Sequence, residues 1–321
     1  MNAAAGLDAQ ASRSKSPVPG AGQDEQPTSG PSTPTHEAVM AQAGKENFPV
    51  ASMFLPGRQR HQLMAIYGVA RLIDDVGDEE LGPASASADE AGANHDDRLA
   101  ALDWLDAELD RVFSGAAAEH PTMRALAGAI QVSPLPERPF RDLVRANRQD
   151  QIVTRYETFE ELLSYCRLSA APVGELVLHV FDSATPARLA RSEQICAGLQ
   201  VVEHIQDVAE DYARGRIYMP LDDMARFECQ ETDLASRRTS ASLAALLRFE
   251  AERAHRLLDG GAPLIRTLGL RPRIALAGFV AGGRAALDAL DAAAYDVAQG
   301  PPPSRRGVAF AKAFAQAVRG R

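Results

Sequence analysis

Two groups of acidic residues have the spacing needed to bind a cation. The first group contains Asp74 and Asp78, and the second contains Glu203, Asp207 and Asp211. Residues four positions apart project about 40° from each other on an α-helix, so each group would form a row of carboxylates on one helix face. Carboxylates in such a row repel each other unless water or a cation separates them. Two rows predict a shared cavity, although a single acidic run is also typical of a solvated helix end.

Magnesium is the cation that suits these rows best. It prefers oxygen ligands and binds through one or two carboxylates together with substrate phosphates and retained waters. Zinc and iron sites would use His or Cys ligands. Because His179 and His204 are not spaced to join the rows, both are predicted to be ordinary helix residues. The two rows therefore predict a site for Mg²⁺ and a diphosphate.

Basic and hydroxyl groups flank both rows. Arg71 lies just before the first row, and Arg214, Arg216 and Tyr218 follow the second. A guanidinium group matches phosphate oxygens with two parallel hydrogen bonds. The alternative is a surface Arg–Asp pair, which would contribute little to stability. The presence of an arginine beside each row favours a diphosphate clamp.

Composition excludes several classes of function. The formal net charge of −9 argues against a nucleic-acid partner, which requires a basic surface. The three cysteines contain no CxxC pair, which suits a reducing compartment. No apolar run of about 18 residues is present, and the first residues lack the apolar core of a secretory signal. We expect a cytoplasmic protein, with association with a membrane surface left open.

The segment pattern predicts an all-α protein. Residues 1–36 are rich in small residues and proline and contain almost no large apolar side chain, which predicts a disordered tail. Apolar residues then recur at helical spacing, as in Leu63, Ile66 and Tyr67, with prolines between the periodic runs. Residues 82–97 have a low-complexity composition typical of a surface loop. We predict one domain over residues 37–321, with eight to ten helices around a central cavity.

At these residues the sequence resembles the squalene/phytoene synthase family, over most of the chain after the tail. The resemblance covers both acidic rows and a series of short motifs in the same order and spacing. These are Asn47 with Phe48, Leu55 with Pro56, residues 67–71, Asp74, Asp75 and Asp78, Asp150, Arg155 with Tyr156, Tyr165 with Cys166, Val173 with Gly174, Gln200, Asp207 and Asp211, and Gly215, Arg216, Tyr218 and Pro220.

The resemblance implies an isoprenoid synthase fold and a role for each of these positions. Mg²⁺ would be held by Asp74 and Asp78 on one side and by Asp207 and Asp211 on the other, with Glu203 beside them. Diphosphate would be contacted by Arg71, Arg216 and Tyr218. The reaction centre would be lined by Tyr67, Tyr165 and Gln200. The hydrocarbon channel would be lined by Phe48, Ala170, Val173 and Leu176, for which plain core packing is the alternative.

Departures from the common family pattern narrow the expected function. Glu203 and Gln206 stand where the family commonly has Asn and Arg, and residues 170–174 read AAPVG where many members read AGTVG. Residues 46–52 also differ from the usual Ser-Phe start. Together these features resemble the hydroxysqualene synthase subgroup of the hopanoid pathway, which converts presqualene diphosphate and water to hydroxysqualene and diphosphate.

Other functions remain open on the sequence. An enzyme that condenses two farnesyl diphosphates to presqualene diphosphate, or a phytoene synthase acting on longer chains, would share every metal-binding residue. A non-enzymatic assembly factor on the same fold would not need intact carboxylates in both rows. The expected partner in each enzymatic case is a long-chain isoprenoid diphosphate, and the resemblance allows peripheral membrane contact or contact with neighbouring pathway enzymes.

Overall fold

The computed structural model describes residues 35–37, 55–78, 88–236, 238–298 and 300–303. Phe48 lies outside the described residues, as do residues 1–34 of the predicted tail and the side chain of Asp78. His36, near the end of the predicted tail, has its Nδ1 atom 3.0 Å from the Thr122 hydroxyl. The disordered tail itself stays a prediction.

Twelve α-helices and one 3₁₀ helix make up the described part of the chain, and it contains no β-strand. The α-helices are α1 (Gly57–Asp78), α2 (Ala88–Ser114), α3 (Pro121–Val132), α4 (Arg138–Asp150), α5 (Phe159–Ser169), α6 (Ala171–Val180), α7 (Pro186–Gln206), α8 (Val208–Ala213), α9 (Leu221–Arg226), α10 (Glu231–Leu234), α11 (Ala241–Gly261) and α12 (Leu270–Ala292), with the 3₁₀ helix Ala262–Thr267 between the last two. The prediction of an all-α fold is confirmed. Helices α8 to α10 are short connecting segments, and the remaining nine match the expected eight to ten.

The predicted surface loop at residues 82–97 was wrong over its second half. Helix α2 begins at Ala88, so residues 88–97 are helical. The segment is rich in alanine, which has the highest helix propensity. Low complexity alone did not distinguish a loop from a helix here.

Local sequence signals set the starts of the helices that build the site. Pro172 and Pro186 lie in the first turns of α6 and α7, where a proline loses no helix hydrogen bond. The hydroxyls of Thr158 and Thr185 accept hydrogen bonds from the backbone amides of the first turns of α5 and α7. These caps fix where each helix begins and so which side chains share a face.

Helix α7 lies at the centre of the packing. It contacts α5, α6, α8, α11 and α12. Its apolar side, which includes the fully buried Ile205, packs in one core with Leu246, Leu247 and Leu258 of α11. Glu203, the first residue of the second row, therefore projects from a helix whose position is fixed by burial on its other faces, and Asp207 follows directly after that helix.

A close approach between α1 and α4 brings the first row to the same centre. Gly77 lies so near α4 that an added Cβ atom would be 1.8 Å from the Asn147 side-chain oxygen. Asn147 donates a hydrogen bond to the Leu143 carbonyl at 3.2 Å, and its amide nitrogen lies 3.5 Å from the Asp74 carboxylate. The Asn147 amide could not keep this position beside Asp74 if residue 77 carried a side chain.

We expect Gly77→Ala to lower the free energy of unfolding by about 1–3 kcal/mol, because Asn147 must leave its hydrogen-bonded position or α1 must move. Gly128→Ala is the matched control. An added Cβ at Gly128, inside α3, would meet nothing within 4 Å. The control should gain up to about 1 kcal/mol from helix propensity. Urea unfolding of both variants measures the difference, and equal stabilisation of the two would contradict the packing of α1 on α4.

Candidate active site

A cavity of ≈ 250 Å³ lies between α1, α4, α5, α7 and α8 and the turn that follows α8. Nearly all of its lining is polar or charged. The lining residues are Asp74, Leu143, Asn147, Asp150, Tyr165, Ser169, Gln200, Glu203, His204, Asp207, Asp211, Arg214, Arg216 and Tyr218. The structure thus brings together four of the five residues predicted to bind metal.

The second acidic row crosses a helix break that the sequence did not predict. Helix α7 ends at Gln206, Asp207 stands between the helices, and α8 begins at Val208. The hydrogen bonding nevertheless continues in helical register, because the Asp207 amide donates to the Glu203 carbonyl and the Asp211 amide donates to the Asp207 carbonyl, at 2.9 and 2.8 Å. Glu203, Asp207 and Asp211 therefore keep a common direction despite the break.

Negative charge is in excess around the cavity. Five carboxylates and two guanidinium groups line it, which leaves a formal excess of three negative charges. Burial, followed by the neighbouring carboxylates of Asp211 and Glu210, raises the pKa of Asp207 above its usual value. A bound cation would offset both causes. The donor set fits a hard, oxygen-preferring ion such as Mg²⁺.

The carboxylates do not form a closed metal cage. Among the residues that the structure describes, no three His, Cys, Asp or Glu side chains converge closely enough to hold an ion by themselves. Magnesium sites that also use substrate phosphates and water have this open character. Asp74 and the second row would hold such an ion from opposite sides of the cavity.

Two arginines follow the second row into the cavity. The chain turns back at Gly215, whose φ of +81° lies in the left-handed region that glycine adopts most easily. The turn is closed by a hydrogen bond of 2.9 Å from the Arg216 amide to the Asp211 carbonyl. Arg216 and Arg214 then line the cavity, and Arg214 also forms an ion pair with Glu210. This places two guanidinium groups beside the acidic row.

Asp150 anchors a group of aromatic side chains at the base of the cavity. It accepts a hydrogen bond of 2.6 Å from the Tyr165 hydroxyl and one of 3.2 Å from the Tyr218 hydroxyl. Burial, followed by the Asp150 carboxylate, raises the pKa of both tyrosines well above the usual value. Both hydroxyls therefore stay protonated and act as fixed donors. The Tyr156 ring stacks against Tyr218 with its centroid 5.9 Å away, which holds the group together.

Comparisons with known proteins show the family of this chain. The model of the squalene/phytoene synthase family matches residues 41–308. The chain is 36% identical over 220 residues to a hydroxysqualene synthase of Rhodopseudomonas palustris, covering 68% of this chain and 70% of the relative. It is 32% identical over 257 residues to a phytoene synthase of Mycobacterium tuberculosis, covering 78% and 80%. The chain belongs to the squalene/phytoene synthase family.

Solved structures give the same result. The squalene synthase HpnC from Alicyclobacillus acidocaldarius superimposes with a TM-score of 0.70 at 36% identity, covering 81% of this chain and 94% of that one. A dehydrosqualene synthase in complex with a ligand gives a TM-score of 0.75 at 24% identity, covering 89% and 96%, and supports the fold alone. The squalene/phytoene synthase family consists of enzymes that process prenyl diphosphates, and its members generally depend on divalent metal ions.

The prediction for His204 was wrong, because this residue belongs to the site. It lies on the buried side of α7, and its ring stacks on Tyr218 with centroids 3.9 Å apart and planes at 15°. Its Nδ1 atom is 3.7 Å from the Asp211 carboxylate, and its Nε2 atom is 3.5 Å from the Gln200 amide nitrogen. Spacing missed His204 because its place in the cavity lining comes from stacking on Tyr218, which lies beyond the end of α8. Its position next to Glu203 was the only sequence signal.

Other predicted residues lie away from the cavity lining. Arg71 forms an ion pair of 2.7 Å with Asp75 on α1. Tyr67 is buried in the core on α1, and Val173 packs against that core from α6. None of these residues lines the cavity as the structure describes it. Substrate or channel roles for Arg71, Tyr67 and Val173 therefore remain predictions from the family resemblance.

We expect Tyr165→Phe to destabilise the fold more than Tyr218→Phe does. Tyr165 makes the shorter hydrogen bond to Asp150, and its removal leaves a charged acceptor with one donor fewer. We expect the free energy of unfolding to fall by about 1.5–3 kcal/mol in Tyr165→Phe and by less in Tyr218→Phe. Both variants keep their rings, so each change removes only the hydroxyl group. Chemical unfolding at neutral pH measures the two values. The reverse order would show that Asp150 depends mainly on Tyr218.

Among the described residues, no helix combines the length and the apolarity needed to cross a lipid bilayer.

Proposed function

We propose that this protein is a hydroxysqualene synthase, which converts presqualene diphosphate and water to hydroxysqualene and diphosphate. The observation that carries the proposal is the acidic cavity with its two arginines, in a chain 36% identical to the hydroxysqualene synthase of R. palustris. The departures from the family pattern at Glu203, Gln206 and residues 170–174 support the same subgroup.

The proposed reaction begins with ionisation of the substrate. The diphosphate would lie between Asp74 and the second row, with its oxygens toward Arg214 and Arg216. Bound Mg²⁺ would supply Lewis-acid stabilisation of the charge that develops on the departing diphosphate. The two guanidinium groups would add charge-assisted hydrogen bonds to the same oxygens. The carbon–oxygen bond then breaks with its electron pair on the diphosphate.

The aromatic group at Asp150 would act on the cation that remains. Aromatic rings attract positive charge, and Tyr165 and Tyr218 are among the residues that line the cavity. Their hydroxyls are held by Asp150 and stay protonated, so they do not supply a competing nucleophile. Gln200 and His204 complete this side of the cavity. The arrangement fits a site in which a carbocation is held until one water attacks it.

Two related reactions are the main competing outcomes. An enzyme that condenses two farnesyl diphosphates, or two longer prenyl diphosphates to phytoene, would use the same carboxylates. The M. tuberculosis phytoene synthase matches a longer stretch of this chain, at lower identity. The nature of the accepted substrate therefore decides between these activities, and a test of function must offer all three diphosphates.

Incubation of the purified protein with presqualene diphosphate and Mg²⁺ in H₂¹⁸O should give a labelled alcohol without added NADPH. The oxygen comes from solvent because water is the proposed acceptor and no hydride donor takes part. Mass spectrometry of the product measures the label, with parallel incubations of farnesyl and geranylgeranyl diphosphate. Squalene formed only with NADPH, an unlabelled alcohol, or turnover of the shorter diphosphates alone would overturn the proposal.

Asp207→Ala should lower turnover by about 100-fold or more while leaving the fold intact or slightly stabilised. The change removes a metal ligand but also relieves the repulsion that raises the pKa of this carboxyl group. Glu252→Ala is the control, because Glu252 is exposed on α11, pairs with Arg256 and does not line the cavity. Excess EDTA should abolish wild-type turnover. Normal turnover by Asp207→Ala, or in EDTA, would contradict the metal assignment.

A further inference from the structure

Ser169 has an unusual hydroxyl group. It is the last residue of α5 and lines the cavity. Its Oγ atom is buried from solvent and has no hydrogen-bond partner among the described residues. Ser164, on the same helix, behaves differently, because its hydroxyl donates to the Glu160 carbonyl four residues earlier at 2.9 Å.

An unsatisfied buried hydroxyl is unfavourable unless something else completes its hydrogen bonding. Ser169 lines the cavity, so a partner bound in the cavity would complete its hydrogen bonding. A water molecule is a suitable partner, because the site is polar and large enough to hold one. The residue therefore marks a position for a bound water or for a polar atom of the substrate.

The location of Ser169 favours a water over a phosphate oxygen. Ser169 follows Tyr165 by four residues, so both lie on the face of α5 that is turned to the cavity. Tyr165 bonds to Asp150, whereas the phosphate-binding arginines follow α8, after the second acidic row. A neutral hydroxyl on the Tyr165 side suits the carbocation end of the substrate better than the anionic end.

We propose that Ser169 binds and orients the water that attacks the carbocation, an inference that rests on the proposed function. The Ser169 oxygen accepts a hydrogen bond from the water, which leaves a lone pair of the water directed at the cation. The carbon–oxygen bond to diphosphate has already broken, with its electron pair on the leaving group. The water oxygen then forms the new carbon–oxygen bond, and its second proton passes to the released diphosphate. No oxidant or reductant is consumed.

A water held by Ser169 explains why the carbocation would be captured as an alcohol and would not lose a proton instead. A cation without an adjacent water loses a proton to form a hydrocarbon. Ser169 would thus control the ratio of alcohol to hydrocarbon and would have little effect on the rate of diphosphate release. Turnover rate and product division are separate measurements, so the proposal can be tested against a purely structural role.

The test compares Ser169→Thr with Ser169→Val, which have nearly the same shape and differ by a hydroxyl group. Each full-length variant is incubated with presqualene diphosphate, Mg²⁺ and H₂¹⁸O, and both diphosphate release and the ratio of labelled alcohol to hydrocarbon are measured. Ser164→Ala, on the exposed face of the same helix, is the control. Ser169→Ala serves as a second hydroxyl-free variant if the larger valine disturbs folding.

We expect diphosphate release to stay within about threefold of wild type in every variant. The ratio of labelled alcohol to hydrocarbon should fall about tenfold or more in Ser169→Val and Ser169→Ala, the factor expected for one lost hydrogen bond. It should be retained in Ser169→Thr and Ser164→Ala. An unchanged ratio in the hydroxyl-free variants would overturn the role of Ser169. A parallel fall in diphosphate release and alcohol would also overturn it, since that result would place the hydroxyl on the diphosphate.

Failure of this inference is distinguishable from failure of the proposed function. If wild type forms no labelled alcohol, the proposed function is wrong and the role of Ser169 falls with it. If wild type forms the alcohol and only the expected effect at Ser169 is missing, the function stands and the inference alone is wrong.

Discussion

Five carboxylates and two guanidinium groups line the cavity of ≈ 250 Å³, and packing elsewhere in the fold must hold this excess of negative charge together. Carboxylates at close range repel each other, and partial burial strengthens the effect because less water screens them. The fold must therefore hold these groups in place before any ligand arrives. Cations that bind together with a diphosphate would remove the repulsion, which couples ligand binding to the relief of electrostatic strain.

Packing away from the cavity provides the force that holds the charges in position. Helix α7 carries Glu203 and leads directly into Asp207, and it is covered on its other sides by α11 and α12. Ile205 is completely buried two residues before Asp207, so the break between α7 and α8 lies directly beside the core. On the opposite side, Gly77 allows Asn147 to reach Asp74. Apolar burial and one tight backbone contact thus oppose the repulsion between the two rows.

Hydrogen-bonded and stacked side chains lie between the acidic rows and the core. Asp150 is satisfied by Tyr165 and Tyr218, and His204 stacks on Tyr218 while facing Asp211. These groups give the cavity two chemically different regions. One region is anionic and suited to metal and diphosphate. The other consists of aromatic rings and fixed hydroxyls, and it is suited to a carbocation.

The sequence was sufficient for the helical architecture and for the main acidic residues, because both depend on periodicity. Apolar residues at helical spacing predicted an all-α protein of eight to ten helices, and the four-residue interval placed Glu203, Asp207 and Asp211 on one side. Features that depend on contacts between distant segments were not predictable. The site role of His204 arises from stacking on Tyr218, and that of Asn147 from the approach of α4 to α1.

Local composition also had limits. The break at Asp207 leaves the hydrogen-bond register intact, so it produces no irregularity in the residue spacing. The low-complexity segment before Asp97 contains enough alanine to form a helix, and its bias alone favoured a loop. The Ser169 hydroxyl could not be singled out from the sequence, because only the structure shows that it is buried without a hydrogen-bond partner among the described residues. Function-bearing detail of this kind follows from packing.

A crystal structure of the full chain with Mn²⁺ and inorganic diphosphate would test whether the acidic cavity binds metal and diphosphate together, because anomalous scattering locates the metal independently of the protein atoms. We expect metal peaks inside the cavity, next to the diphosphate. Asp74 should bind the metal on one side and Asp207 or Asp211 on the other. Diphosphate bound by Arg214 and Arg216 without metal, or metal bound outside the cavity, would contradict this expectation.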